Sequence, residues 1–243
     1  MRYPVVTMSP LDAARDRLVF ALDVADEDRA RALVTELRDS VGTFKVGLEL
    51  LLRGGMELAR RITDGSALFI DAKLHDVPAT VERATAQIVG AGLPVRFITV
   101  HEPVSAAVRG AAGRAGILRV TVLTSQPADA RGEAALTETV VARAVEAQRD
   151  GAAGIVCSPR ELRAVRAVLP SFPCVTPGVR PAWASVDGDD QRRTATAAEA
   201  IRDGASCIVV GRPIRDARVP RDAARRVLEE IAEAAGASPS ARA

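Results

Sequence analysis

From Arg17 onward the chain alternates between two patterns. Short apolar or β-branched runs, of the kind required by a sheet covered on both faces, are each followed by an Ala/Arg/Glu-rich segment with helical spacing. The apolar runs fall at 18–23, 44–48, 68–73, 96–101, 118–124, 154–157, 174–178 and 208–211. The helical segments fall at 26–38, 55–62, 77–90, 103–112, 137–150, 159–168, 197–202 and 220–235. Strands alternating with helices predict a parallel sheet. Eight such units in 243 residues fit a closed (β/α)8 TIM barrel better than an open sheet. Residues 17–235 are therefore expected to form one barrel domain, with an N-terminal extension over 1–16 and a small, polar tail over 236–243.

In such a barrel the C-terminal ends of the strands converge on one face, where catalytic groups gather. The polar residues follow that geometry. Asp23 ends the first run, Lys45 lies on the second, and Asp71 and Lys73 end the third. His101 ends the fourth, Thr124 and Ser125 the fifth, Arg180 follows the seventh, and Gly211 and Arg212 close the eighth. The densest stretch is ALFIDAKLHDVPAT, 67–80, where Asp71, Lys73 and Asp76 follow the run Leu68-Phe69-Ile70. Residues two apart on a strand share a face, so Asp71 and Lys73 are expected side by side. Asp76 lies beyond the strand, before a helix with Pro78 in its first turn.

Asp23, Lys45, Asp71 and Lys73 would then form an alternating carboxylate–ammonium array in a partly desolvated mouth. Each charge there would be stabilised mainly by its neighbours. Such an array can hold a lysine protonated as a general acid beside a carboxylate that cannot move away. The structural alternative is a charge network that only closes the barrel end; apolar packing would serve stability as well.

Composition narrows the classes. Hydrophobic residues make up 48% of the chain but aromatics only 3%, so aliphatic side chains must fill the core. The 33 basic and 31 acidic residues are interspersed and leave a formal net charge of +2, with no basic block to suggest nucleic-acid binding. The Arg-rich segment 160–166 reads as a solvated face. Cys157, Cys174 and Cys207 lack metal-ligand spacing and read as buried free thiols. No signal-peptide pattern opens the chain and no run of about 18 apolar residues occurs, so a soluble, cytoplasmic protein is expected.

The loops after the last two strands, TPGVRP (176–181) and VVGRP (209–213), suit a phosphate. Gly211 permits close backbone approach and Arg212 a bidentate grip. Arg180 can do the same or anchor an acidic residue. Between them, the polar loop 181–193 holds Trp183 and Gln191, and reads either as a lid over a bound phosphate or as an ordinary variable loop. His75 and His101 lack a third ligand for a metal. Ser125 lacks the G-x-S-x-G turn of a hydrolase nucleophile.

FALD (20–23), FKVG (44–47), DAKLHDVPAT (71–80), TVLTS (121–125), TPGVRP, GDDQRR (188–193) and VVGRP together resemble the orotidine 5′-phosphate decarboxylase family, in family order and across nearly the whole folded chain. A lone D-x-K-x-x-D would be weak, because related sugar-phosphate decarboxylases and aldolases share it. The resemblance implies a (β/α)8 homodimer that uses neither metal nor organic cofactor and makes UMP in pyrimidine biosynthesis. It implies that Lys73 protonates C6 of the pyrimidine, that Asp71 sits against the departing carboxylate, and that Lys45 lies between Asp71 and the ribose hydroxyls. Asp23 would bind ribose. Asp76 and Thr80 would reach the neighbouring subunit's site. Thr124 and Ser125 would meet the base, and Arg180, Gln191, Gly211 and Arg212 the phosphate end. Ala72, Ala79 and Glu102-Pro103 depart from the usual pattern without removing a charged group of the mechanism.

Two other readings compete. One is a metal-dependent sugar-phosphate decarboxylase or aldolase of the same superfamily. The other is a silent nucleotide-phosphate-binding barrel, which would gain little from a buried carboxylate near an anionic ligand.

Overall fold

Eight parallel strands close on themselves in chain order in the computed structural model, which describes residues 9–123, 132–184 and 194–236. They are β1 (Leu18–Ala21), β2 (Thr43–Gly47), β3 (Leu68–Leu74), β4 (Val95–Val100), β5 (Gly116–Val120), β6 (Gly154–Val156), β7 (Cys174–Thr176) and β8 (Cys207–Val210). Alternation along each strand separates two cores. Val19, Ala21, Phe69, Leu118, Val175 and Val209 fill the barrel interior. Their neighbours, such as Leu18, Phe20, Ile70 and Ile208, face the helical layer. The interior parity that buries Phe69 also points Asp71 inward, two residues further on. Lys45 stands opposite Phe69 in the β2–β3 register.

The surrounding helices are α1 (Pro10–Arg17), α2 (Glu27–Leu37), α3 (Leu48–Thr63), α4 (Pro78–Gly90), α5 (Ala106–Ala112), α6 (Gly132–Arg149), α7 (Leu162–Val168), α8 (Ala197–Arg202), α9 (Arg212–Arg215) and α10 (Pro220–Gly236). Their starts follow local chemistry. Asp26 accepts from the Arg29 N–H at 2.7 Å at the head of α2, and Thr196 and Glu199 form a capping box on α8. Pro78 occupies the first turn of α4, where its missing N–H costs nothing. The helix expected from residue 55 begins instead at Leu48, and Gly54 and Gly55 interrupt it with non-helical backbone, Gly55 at φ 57°.

The stretch expected as an N-terminal extension holds α1, which ends directly against β1 and packs on α10. It closes the end of the barrel opposite the charged mouth. Arg17 donates to the carbonyls of Ala205 and Ser206, and Arg96 to the Asp16 carbonyl and the Thr43 hydroxyl. In the Arg-rich segment, Arg163 is exposed and paired with Asp203, as a solvated face would be. Arg166 instead turns inward and donates to carbonyls of Gly204 and Leu169, tying α7 to the loop before β8. The three cysteines are buried free thiols. Among the described residues, no helix is long and apolar enough to cross a membrane.

Candidate active site

The strand C-termini open into a cavity of about 560 Å3, inside the range of small-molecule sites, about 300–1,000 Å3. Phe69, Val120, Val156 and Val209 form its apolar floor. Above that floor stand Asp23, Lys45, Asp71 and Lys73, joined as the sequence suggested. Lys73 Nζ donates to Asp71 Oδ2 at 2.8 Å. Lys45 Nζ lies 2.9 Å from Asp23 Oδ1 and 3.4 Å from Asp71 Oδ2. Asp71 is buried and Lys45 mostly so, with side chains 11% and 12% exposed, while the Asp23 side chain is 52% exposed. Gly47 leaves room for the array. A Cβ there would stand 3.3 Å from Lys45 Nζ and 3.4 Å from Asp23 Oδ1.

The array sets its own charge states. Burial pushes the Asp71 carboxyl up, but Lys45, Lys73 and hydrogen bonds from Lys73 and Thr99 outweigh it and hold the group below its ordinary range. Burial likewise opposes the Lys45 ammonium, and Asp23 and Asp71 overcome it, raising Lys45 above its ordinary value. Both groups are therefore charged at neutral pH, in a setting where water screens them little.

Asp71 and Lys73 do not emerge from a regular strand. The β3–β4 register slips between Ile70 and Leu74, and Lys73 sits at φ 47°, the left-handed region that a side chain disfavours. Its N–H donates to the hydroxyl of Thr99, 2.9 Å away, and that hydroxyl donates to Asp71 Oδ1, also at 2.9 Å. Sequence reading missed Thr99. It lies inside the apolar run 96–101, and the only signal was a hydroxyl at the same inward parity as Phe97.

Across the cavity are Gly178 at φ 79°, Arg180, Gly211 and Arg212. Arg212 opens the short helix α9, and with its N-cap residue Gly211 it lines the cavity. Two further charged residues that were not anticipated line it, Glu49 and Arg215. Arg215 clasps Asp216 with two nitrogens and donates to the Asp23 carbonyl at 2.6 Å, tying α9 to the end of β1. Glu49 lies in the first turn of α3, just past β2, and Arg215 at the end of α9.

Asp76 and Thr80 do not line the cavity of their own chain. Asp76 is exposed, with Oδ1 accepting from the Val77 N–H at 2.6 Å, and Thr80 accepts from Arg83 at 3.3 Å. His75 pairs through Nδ1 with Glu102 at 2.6 Å and meets the His101 ring edge-on at 5.7 Å. Burial, then His75 and Lys73, push His101 below its ordinary value, and it lines no part of the cavity. Among the described residues, no group of three or more His, Cys, Asp or Glu is placed to hold a metal ion. Thr124, Ser125, Gln191 and most of the loop 181–193 lie outside the described residues. Trp183, at the start of that loop, is fixed on α10: its Nε1 donates to Glu230 at 2.7 Å, and Arg226 lies over its ring at 4.3 Å.

Residues 16–227 match the family described as Orotidine 5′-phosphate decarboxylase / HUMPS. The orotidine 5′-phosphate decarboxylase of Bradyrhizobium sp. (strain BTAi1) is 46% identical over 232 residues, covering 91% of this chain and 94% of its own. That of Desulfosudis oleivorans is 44% identical over 239 residues, covering 91% and 95%. Among solved structures, orotidine 5′-phosphate decarboxylase from Lactobacillus acidophilus superposes with a TM-score of 0.72 at 30% identity, covering 88% of this chain and 98% of its own. The one from Pyrococcus horikoshii OT3 gives 0.69 at 25% identity, with the same coverage. With the fold, the site and these likenesses together, the chain belongs to the orotidine 5′-phosphate decarboxylase / HUMPS family.

Proposed function

We propose that this chain, a carboxy-lyase by its family, converts orotidine 5′-monophosphate to UMP and carbon dioxide using its own side chains, without metal or organic cofactor. The observation that carries this reading is the continuous chain of contacts Asp23–Lys45–Asp71–Lys73 over an apolar floor. Breaking the bond between C6 and the carboxylate leaves an electron pair on a vinylic carbon with little resonance relief. The Lys73 ammonium stabilises that charge through space and then delivers a proton to C6. Lys73 is left neutral and regains its proton from solvent. Asp71 holds Lys73 in place and opposes the substrate carboxylate, an unfavourable contact that carbon dioxide release relieves.

Binding energy for that contact comes from the other end of the substrate. Asp23 and Lys45 take the ribose hydroxyls, Arg180, Gln191, Gly211 and Arg212 the phosphate, and Thr124 and Ser125 the base. Asp76 and Thr80 serve the neighbouring site of a homodimer. Their position outside their own cavity, at the exposed head of α4, supports that role.

The test is loss of orotidine 5′-monophosphate absorbance with purified protein in excess EDTA. Turnover unaffected by the chelator is expected. Activity abolished by EDTA, or seen only on sugar phosphates with added magnesium, would overturn the reading in favour of the metal-dependent branch of the superfamily.

A further inference from the structure

We infer that Thr99 is the positioning residue of this site, the group that sets where Lys73 and Asp71 stand relative to the reacting carbon. The inference rests on the decarboxylase reading. Three residues of β3, Asp71, Ala72 and Lys73, are accommodated opposite one residue of β4, Thr99, since Ile70 pairs with Ile98 and Leu74 with Val100. The two extra residues form a bulge, and a bulge strips backbone groups of their ladder partners. The Lys73 N–H would be such an orphan. It donates instead to Thr99 Oγ1 at 2.9 Å, while the ladder resumes with the His101 N–H on the Leu74 carbonyl at 2.8 Å.

The same oxygen carries one proton, which goes to Asp71 Oδ1. Thr99 is fully buried, so water does not compete for either bond. Two consequences follow. Lys73 is held at φ 47°, a conformation that a lysine leaves unless its surroundings over-determine it. The Asp71 carboxylate is also fixed in rotation, with Oδ1 satisfied by a neutral donor and Oδ2 turned to Lys73 at 2.8 Å and Lys45 at 3.4 Å. One β-branched hydroxyl, stiff about χ1, thus serves both the backbone of the proton donor and the orientation of its partner. A valine would fill the same space and supply neither bond.

The experiment compares wild type, Thr99→Val, Thr99→Ser and Thr99→Cys on orotidine 5′-monophosphate, with unfolding temperature and UMP affinity measured on each. Thr99→Val is expected to lower kcat by about 30-fold, as displacing a reacting group by a fraction of an ångström does. KM and UMP affinity should stay within about threefold, because the ribose and phosphate contacts are untouched. Thr99→Ser keeps the hydroxyl and should recover most of the lost kcat. Thr99→Cys matches the serine variant in shape but donates and accepts weakly, so it should also be slow, and it serves if the valine variant does not fold. Valine or cysteine variants with kcat within about twofold of wild type would overturn the inference, as would a serine variant as slow as valine. A folded wild type that leaves orotidine 5′-monophosphate untouched would instead overturn the reading on which it rests.

Discussion

Replacing Asp71 by asparagine removes one charge and almost no volume. The amide oxygen can still accept from the Thr99 hydroxyl, so the β3 bulge should survive. The charge facing two ammonium groups at 2.8 and 3.4 Å is lost. At an effective dielectric constant of about 20, each contact is worth on the order of 5 kcal/mol gross. Desolvation of the buried carboxylate offsets much of that, and the Lys73 side chain is 34% exposed, so its share is discounted further. A net loss of about 3 kcal/mol is the expected size for removing one partner of a buried ion pair. In a chain of 243 residues that lowers Tm by about 6–12 °C. If the same energy holds Lys73 against C6 in the transition state, turnover falls at least about 100-fold. Affinity for orotidine 5′-monophosphate should rise, because the repulsion of its carboxylate is gone. Thermal unfolding, steady-state turnover and a binding titration on the one variant check all three. A variant with Tm within about 1 °C of wild type would show that the Asp71 charge does not stabilise the fold, and one with turnover within about tenfold that it does not hold Lys73 in place.

Stability should depend on pH through the same groups. Asp71 is held below its ordinary 3.8, so its contribution is present above that pH and is lost as pH falls through the lower folded value. Lys45 is raised above its ordinary 10.5, so its contribution is present below that pH and is lost as pH rises through the higher folded value. The urea-midpoint difference between wild type and Asp71→Asn should be flat in the neutral range and shrink below 3.8; a difference still full at about pH 2.5 would contradict the assignment. Asp76→Ala and Lys73→Ala should each be inactive alone. Mixed dimers hold one whole site and should regain about a quarter of wild-type turnover in a statistical mixture, whereas no recovery in confirmed mixed dimers would exclude a shared site.

The barrel was legible because each strand announces itself as an apolar run with an apolar helix face behind it. Asp23, Lys45, Asp71 and Lys73 were legible because charge at the end of a buried run is costly and therefore informative. Helix α1 was missed. Its hydrophobic face is a single buried alanine, Ala14, and its hold on the barrel bottom comes from backbone carbonyls accepting from Arg17 and Arg96. Thr99 was missed because a threonine inside Phe-Ile-Thr-Val is what an ordinary strand offers. Only the slipped register and the positive φ of Lys73, both tertiary facts, give its hydroxyl a task. Arg215 was hidden because α9 is a single short turn, too brief for any periodicity to show.

The most direct test compares wild type with Lys73→Ala in excess EDTA, following the absorbance of orotidine 5′-monophosphate and titrating UMP onto each protein. Chelator-resistant turnover is expected in the wild type. In the variant, a loss of at least about 10,000-fold is expected, with UMP affinity kept within about tenfold. A folded Lys73→Ala protein that still decarboxylates the substrate at a rate near wild type would contradict the role given to Lys73, because the proton and the charge at C6 would then come from elsewhere.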